Sequence, residues 1–258
     1  TFNYLGNLHR NLYNFVKAEN MYKSALEIKE KKYGFKEPEV SVILNNIGLL
    51  YADQGFYKKA EPLFIRALRI DEEKLGKDHP DTAYTIGNLA NLYRNLGSYS
   101  KAESLFIKAL AIQEEELGKN HADIIYNLSN LANLYQEQGQ YQIAEKLYLR
   151  SLKISEKVFG SDHPETAYSL TNLAGLYQDK ASYKKAESLL LKALKIIEKN
   201  FGPDHPEISL VLNELGLFYE SQSISLQVIL KFLQCKDDQD RKFFYQYLKI
   251  SDKEFQLS

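Results

Sequence analysis

The sequence predicts an all-α, right-handed superhelical solenoid of antiparallel helix pairs, and three observations carry that expectation. The first is a repeat. Gly97-Ser98-Tyr99-Ser100-Lys101-Ala102-Glu103 recurs 42 residues earlier as Gly55-Phe56-Tyr57-Lys58-Lys59-Ala60-Glu61, and later as Gly139 to Glu145 and Ala181 to Glu187. The second is spacing: within each unit, apolar and small residues fall three and four apart, which is one face of a helix. The third is punctuation, with proline opening segments and glycine closing them. Units that cannot bury an apolar face alone stack on their neighbours and share a strip-like core.

The elements follow in order. The earliest copy is Tyr13 to Glu19, preceded by a first helix carrying Leu8-His9. The unit from Pro80 to Gly118 shows the pattern in full. Pro80 suits the first helical position, where its missing N–H has no intrahelical partner, and Asp78 and Asp81 suit the positive end of the helix dipole. Ala83, Ile86, Leu89, Ala90 and Tyr93 share one face, and Gly97 ends the helix. A second helix is expected from about Ser98 to Leu117, with Tyr99, Ala102, Leu105, Phe106, Ala109, Leu110 and Ile112 turned inward. The turn between them is short enough to force an antiparallel pair.

First helices are marked by Leu8-His9, Leu50-Tyr51, Leu92-Tyr93, Leu134-Tyr135, Leu176-Tyr177 and Phe218-Tyr219, and second helices by Ala18, Ala60, Ala102, Ala144 and Ala186. The expected organisation is therefore five helix pairs plus a sixth first helix over 1–222. A divergent helical cap or connector follows over 223–258, with Cys235 on an apolar stripe as a small core residue. Gly48, Ala90, Ala132, Ala174 and Gly216 recur where helices must approach closely. Pro62 falls inside a second helix and is expected to kink it. The Lys and Glu residues of the second helices read as a solvated outer face.

Composition excludes several classes. A net charge of -1 and a pI near 6.5 leave no basic footprint for nucleic acid. No apolar run approaches the ~18 residues of a membrane span. One cysteine excludes an internal disulfide and suits a reducing, cytoplasmic setting. The chain starts at Thr1 inside a repeat, so it reads as a piece of a longer protein. No phosphate loop, H-E-x-x-H or nucleophile elbow is present, so neither catalysis nor a cofactor is expected. His79, His121, His163 and His205 recur once per repeat, too far apart to share a metal ion, and read as helix-start residues.

Two ladders stand out. Asn46, Asn88, Asn130 and Asn172 occupy one position of the first helix, with Asn91 and Asn133 three residues on. Tyr84, Tyr126 and Tyr168 lie four residues before ladder asparagines, on the same face. Asn is a middling helix former, so propensity does not account for the first ladder. Bonding to a neighbouring helix and presentation to a ligand are both open for each. Arg94 could pair with an acidic group of a ligand.

The combination Leu-Tyr, Gly-x-Tyr-x-x-Ala-Glu and Ala-Leu resembles the tetratricopeptide repeat. The long unit, with Leu75-Gly76-Lys77-Asp78-His79-Pro80-Asp81-Thr82-Ala83 and Asn88-Leu89-Ala90-Asn91-Leu92-Tyr93, resembles its kinesin light chain-like subclass. Ala122 departs from the pattern where Pro is expected, Ala181 where Gly is, and His9 where Tyr is. The resemblance implies a protein-interaction scaffold whose first helices line a concave groove, with the asparagines holding the backbone of a peptide or protein partner. The tail, from Ser225 through Asp240-Arg241-Lys242-Phe243-Phe244, resembles the connector that joins such repeats to a caspase-like CHAT peptidase domain. By that alternative the array is the sensor arm of an enzyme lying beyond Ser258.

Overall fold

A computed structural model describes residues 2–202 and 206–221, and every regular element in it is an α-helix. The helices are α1 (Phe2–Asn11), α2 (Phe15–Tyr33), α3 (Pro38–Asp53), α4 (Tyr57–Lys74), α5 (Pro80–Asn95), α6 (Tyr99–Leu117), α7 (Ile124–Glu137), α8 (Tyr141–Val158), α9 (Pro164–Asp179), α10 (Tyr183–Phe201) and α11 (Pro206–Ser221). Successive helices pack as pairs from α1–α2 to α9–α10, each pair docks on the next, and α11 packs on α10. The result is a solenoid. The expected cap over 223–258, with Cys235, and His205 lie outside the described residues.

Helix starts follow the local chemistry. Pro38, Pro80, Pro164 and Pro206 are each the first residue of their helix. Where Ala122 replaces proline, α7 begins two residues later, at Ile124. The histidines near three of these starts act structurally. Nδ1 of His79, His121 and His163 accepts the backbone N–H two residues on, at 3.1, 3.3 and 3.2 Å. This satisfies one of the amides that a helix N-terminus leaves unpaired. The turns within pairs need a left-handed residue. Gly55, Gly97 and Gly139 supply it at φ 72–75°, and Tyr13 and Ala181 are held there at 56° and 52°.

The shared core is built on small residues. Ala60, Ala102, Ala144 and Ala186 are fully buried, as are Ala90, Ala132 and Ala174. At Gly48 a Cβ would lie 2.6 Å from the ring of Phe64, so this crossing admits only glycine without repacking. One expectation about the second helices needs correcting. Tyr99, in the first turn of α6, is 37% exposed rather than inward. Pro62 lies in the interior of α4, which nevertheless runs continuously from Tyr57 to Lys74.

The glutamates of the second helices are not simply solvated. The tyrosine of each Leu-Tyr pair donates its hydroxyl to the glutamate of the previous repeat's Ala-Glu: Tyr51 to Glu19, Tyr93 to Glu61, Tyr135 to Glu103, Tyr177 to Glu145 and Tyr219 to Glu187, at 2.6–2.9 Å. Burial, reinforced by the facing carboxylate, pushes the Tyr135 and Tyr177 hydroxyls up to about 12. Between second helices, Arg66 reaches Glu30 and Arg150 reaches Glu114, both at 2.6 Å. Repeat-to-repeat docking is thus specified by bonds as well as by apolar burial.

Candidate partner-binding groove

The first helices come closer to their own kind than the second helices do: α1 meets α3, α3 meets α5, α5 meets α7, α7 meets α9 and α9 meets α11. A stack compressed on that side curves toward it, so the odd-numbered helices form the inner layer. Tyr84, Tyr126 and Tyr168 each lie in the first two turns of an inner helix, one repeat apart. The rings of Tyr84 and Tyr126 have centroids 5.7 Å apart and a 38° tilt, so adjacent steps of the ladder touch. Tyr84 is 43% exposed.

A hollow of about 530 Å³ opens beside them. Its walls include Tyr84, Tyr126, Tyr168, Asn130, Asn133 and Asn172, with Asp123 and Glu165 at helix starts and Phe159 and Ile125 as apolar floor. Phe159 is fixed by stacking on His163, with centroids 4.9 Å apart. A smaller hollow of about 240 Å³ lies on the other side of Tyr84, and Asn46 lines it with Asn3, Asn45, Asp71 and Asp81. Tyr84 is the shared wall.

The asparagines of one sequence position take different roles. Asn46 donates to Asn3 Oδ1 at 2.9 Å across repeats. Asn130 donates to the Tyr126 carbonyl one turn earlier, at 3.0 Å. Asn88 is buried and engaged at both ends of its amide: it donates to Asn45 Oδ1 at 3.2 Å and accepts from the Tyr126 hydroxyl at 3.1 Å. The interior pairing competes directly with ligand presentation at Asn88. Burial pushes the Tyr126 hydroxyl up, against the opposing pull of Arg94 and Arg10.

One step along, Asn133 accepts the Tyr148 hydroxyl, just as Asn7 accepts that of Tyr22. Asn91 has Phe106 in the matching place, and its Oδ1 is buried with no protein hydrogen-bond partner. The Nε of Arg94 is in the same condition. The Arg94 side chain is only 14% exposed and lies 3.7 Å from Glu137, so its charge is already answered within the fold. Arg10, its repeat equivalent, is held by Asp53 at 2.5 Å.

Sequence reasoning missed a buried polar chain behind the groove. Thr85 donates to Asp71 at 2.6 Å, Asn45 to Thr85 at 2.7 Å, Asn88 to Asn45, and Tyr126 to Asn88. The chain links three consecutive pairs. Asn127 and Gln113 repeat the Thr85–Asp71 contact one unit later, at 2.9 Å. A signal existed: polar types recur at these two positions, 14 residues apart, in both repeats. Burial raises the Asp71 carboxyl above its ordinary range, opposed by hydrogen bonds from Ser41 and Thr85.

An inner layer of tyrosines and amides around an open hollow defines a class of helical-repeat, protein-interaction scaffold. The chain belongs to the tetratricopeptide repeat family, whose models match residues 1–39, 39–115, 85–148, 123–196 and 169–223. No curated protein is a significant match. Among solved structures, BtubC (BKLC) from P. vanneervenii is 21% identical, with 91% of each chain covered and a TM-score of 0.65. A kinesin light chain-like protein of Podosopora anserina with nearly identical TPR-like repeats is 24% identical over 78% of this chain and 95% of its own, with a TM-score of 0.57. The apo form of RapI is 18% identical over 88% of this chain and 85% of its own, with a TM-score of 0.60. At these identities the likeness establishes the fold. No helix among the described residues is long and apolar enough to cross a membrane.

Proposed function

We propose that the chain binds an extended segment of a protein partner along the inner layer of its first helices, and holds it without chemistry of its own. The observation that carries this reading is the large hollow. Tyr84, Tyr126, Tyr168, Asn130, Asn133 and Asn172 converge on its 530 Å³ from three successive repeats. Tyrosine offers a rigid apolar body with a polar tip, and the amides offer donors and acceptors to a peptide backbone. Such a site recognises an extended chain through repeated, equally spaced contacts. Asn88 acts from behind by setting the Tyr126 hydroxyl.

The experiment is selection of peptides from a displayed random library on the 258-residue chain. Selected peptides are then titrated against a Tyr84→Ser/Tyr168→Ser variant. Both residues lie on the inner layer, so the fold should persist while affinity falls by about tenfold or more, two buried aromatic contacts being worth at least ~1.4 kcal/mol together. Undiminished binding to a folded double variant would place the binding surface elsewhere.

A further inference from the structure

We infer that the segment taken by the groove is basic, its arginine or lysine side chains lying on Tyr84, Tyr126 and Tyr168 and pairing with Asp123 and Glu165. The inference rests on the groove reading above and adds the chemistry of the occupant. Its first support is a segregation of charge between layers. The whole chain carries a net charge of only -1. Yet the inner helices α1, α3, α5, α7 and α9 contain no lysine at all. Their acidic residues are Glu39, Asp53, Asp81, Glu137, Glu165 and Asp179, against Arg10 and Arg94 alone. Both arginines are spent, on Asp53 and Glu137. Lysines lie on the second helices and the linkers, where Lys108, Lys192 and others face the carboxylates of neighbouring second helices.

The second support is the lining itself. Asp123 and Glu165 face the large hollow, Asp71 and Asp81 face the small one, and among the described residues neither hollow has a Lys, Arg or His in its wall. Nδ1 of His121 and of His163 accepts the backbone N–H of Asp123 and Glu165 respectively, and Nδ1 of His121 lies 3.6 Å from the Asp123 carboxylate. Aromatic faces next to carboxylates with which no lysine or arginine of the described residues pairs are the combination that recognises a guanidinium or ammonium group: the ring quadrupole attracts the cation and the carboxylate pairs with it. An acidic segment would meet like charge in both hollows.

The test is fluorescence anisotropy with a labelled peptide alternating arginine and serine, beside the same peptide with citrulline for arginine, at low and at physiological salt. Citrulline keeps the shape and removes the charge. The arginine peptide should bind at least about tenfold more tightly, the range of a charge-assisted hydrogen bond, and should weaken with salt. The Asp123→Asn/Glu165→Gln variant should lose about tenfold for the arginine peptide only. Glu115→Gln/Glu116→Gln, an equal charge change at exposed positions of α6, should lose nothing. Equal binding of the two peptides, or an equal loss in the outer variant, overturns the inference. If that happens while neutral selected peptides still depend on Tyr84 and Tyr168, the groove reading stands without the basic occupant. If no peptide depends on them, both readings fall.

Discussion

Phe106 stands where the first and fourth pairs use tyrosine, and the site it faces is short of a hydroxyl. In the first pair, Tyr22 donates to Asn7 at 2.6 Å with Arg10 beside it. In the fourth, the Tyr148 hydroxyl serves both Asn133 and Gln136. The second pair avoids the need, with Leu49 in the asparagine's place, packed against the apolar cluster that contains Phe64. The third mixes the two solutions: Asn91 and Arg94 are retained, Phe106 has no hydroxyl, and two buried polar atoms, Asn91 Oδ1 and Arg94 Nε, are left over. Phe106→Tyr places one hydroxyl that can donate to the first and accept from the second. Leaving a buried polar group unmade costs roughly 1–3 kcal/mol, so after the cost of burying the new hydroxyl we expect a gain of about 2 kcal/mol. For a chain of this size that is a rise in melting temperature of roughly 4–8 °C. Repeat arrays unfold locally, so the melt should be read beside amide exchange, with extra protection concentrated in α5 and α6. Asn91→Leu, which copies the Leu49–Phe64 solution, should also stabilise, by less, since Arg94 Nε stays unmet. A Phe106→Tyr chain no more stable than the parent would refute the reasoning and show that the two atoms are already satisfied.

Three further outcomes follow from the same geometry. Ala181→Gly should stabilise by about 1 kcal/mol, because a φ of 52° is costly for any residue with a Cβ, and a thermal melt reads it. Asp71→Asn should raise the melting temperature at neutral pH. Burial raises the carboxyl's folded-state pKa, so its stabilising contribution is full below the unfolded value and lost as pH rises through the folded one, and the advantage of the amide should shrink on acidification. Tyr135→Phe should cost about 1 kcal/mol by removing the bond to Glu103. In the parent, whose Tyr135 and Tyr177 are raised to about 12, this contribution is present below the ordinary value near 10 and drains away as pH climbs from there through 12, visible as alkaline loss of helicity.

Helix order and pairing were legible because proline, glycine and the 3-and-4 spacing act locally. Even the departures were readable in kind: Ala122 delays α7 and Ala181 takes the left-handed turn without glycine. The docking between repeats was not. Glu61 and Tyr93 lie 32 residues apart and meet only when one pair stacks on the next, so a helix-by-helix reading assigned that glutamate to solvent. The same blindness applies to Thr85, Asn88 and Asn127, whose polar side chains are buried where they bond to partners on other helices. The tyrosine ladder was legible as a shared face. Asn88 is withdrawn from it into the interior, where it pairs with Asn45, whereas Asn133 keeps its place in the wall of the hollow while accepting from Tyr148.

The central claim is that the inner layer, and not the outer one, holds the partner. Site-specific photo-crosslinking tests it most directly, using a display-selected peptide and a benzophenone side chain placed at Tyr168 on α9 or at the 46%-exposed Leu149 on α8. A covalent adduct from position 168 that excess unlabelled peptide competes away is expected, and none from position 149. An adduct from 149 with none from 168, in chains of equal helicity, would contradict it.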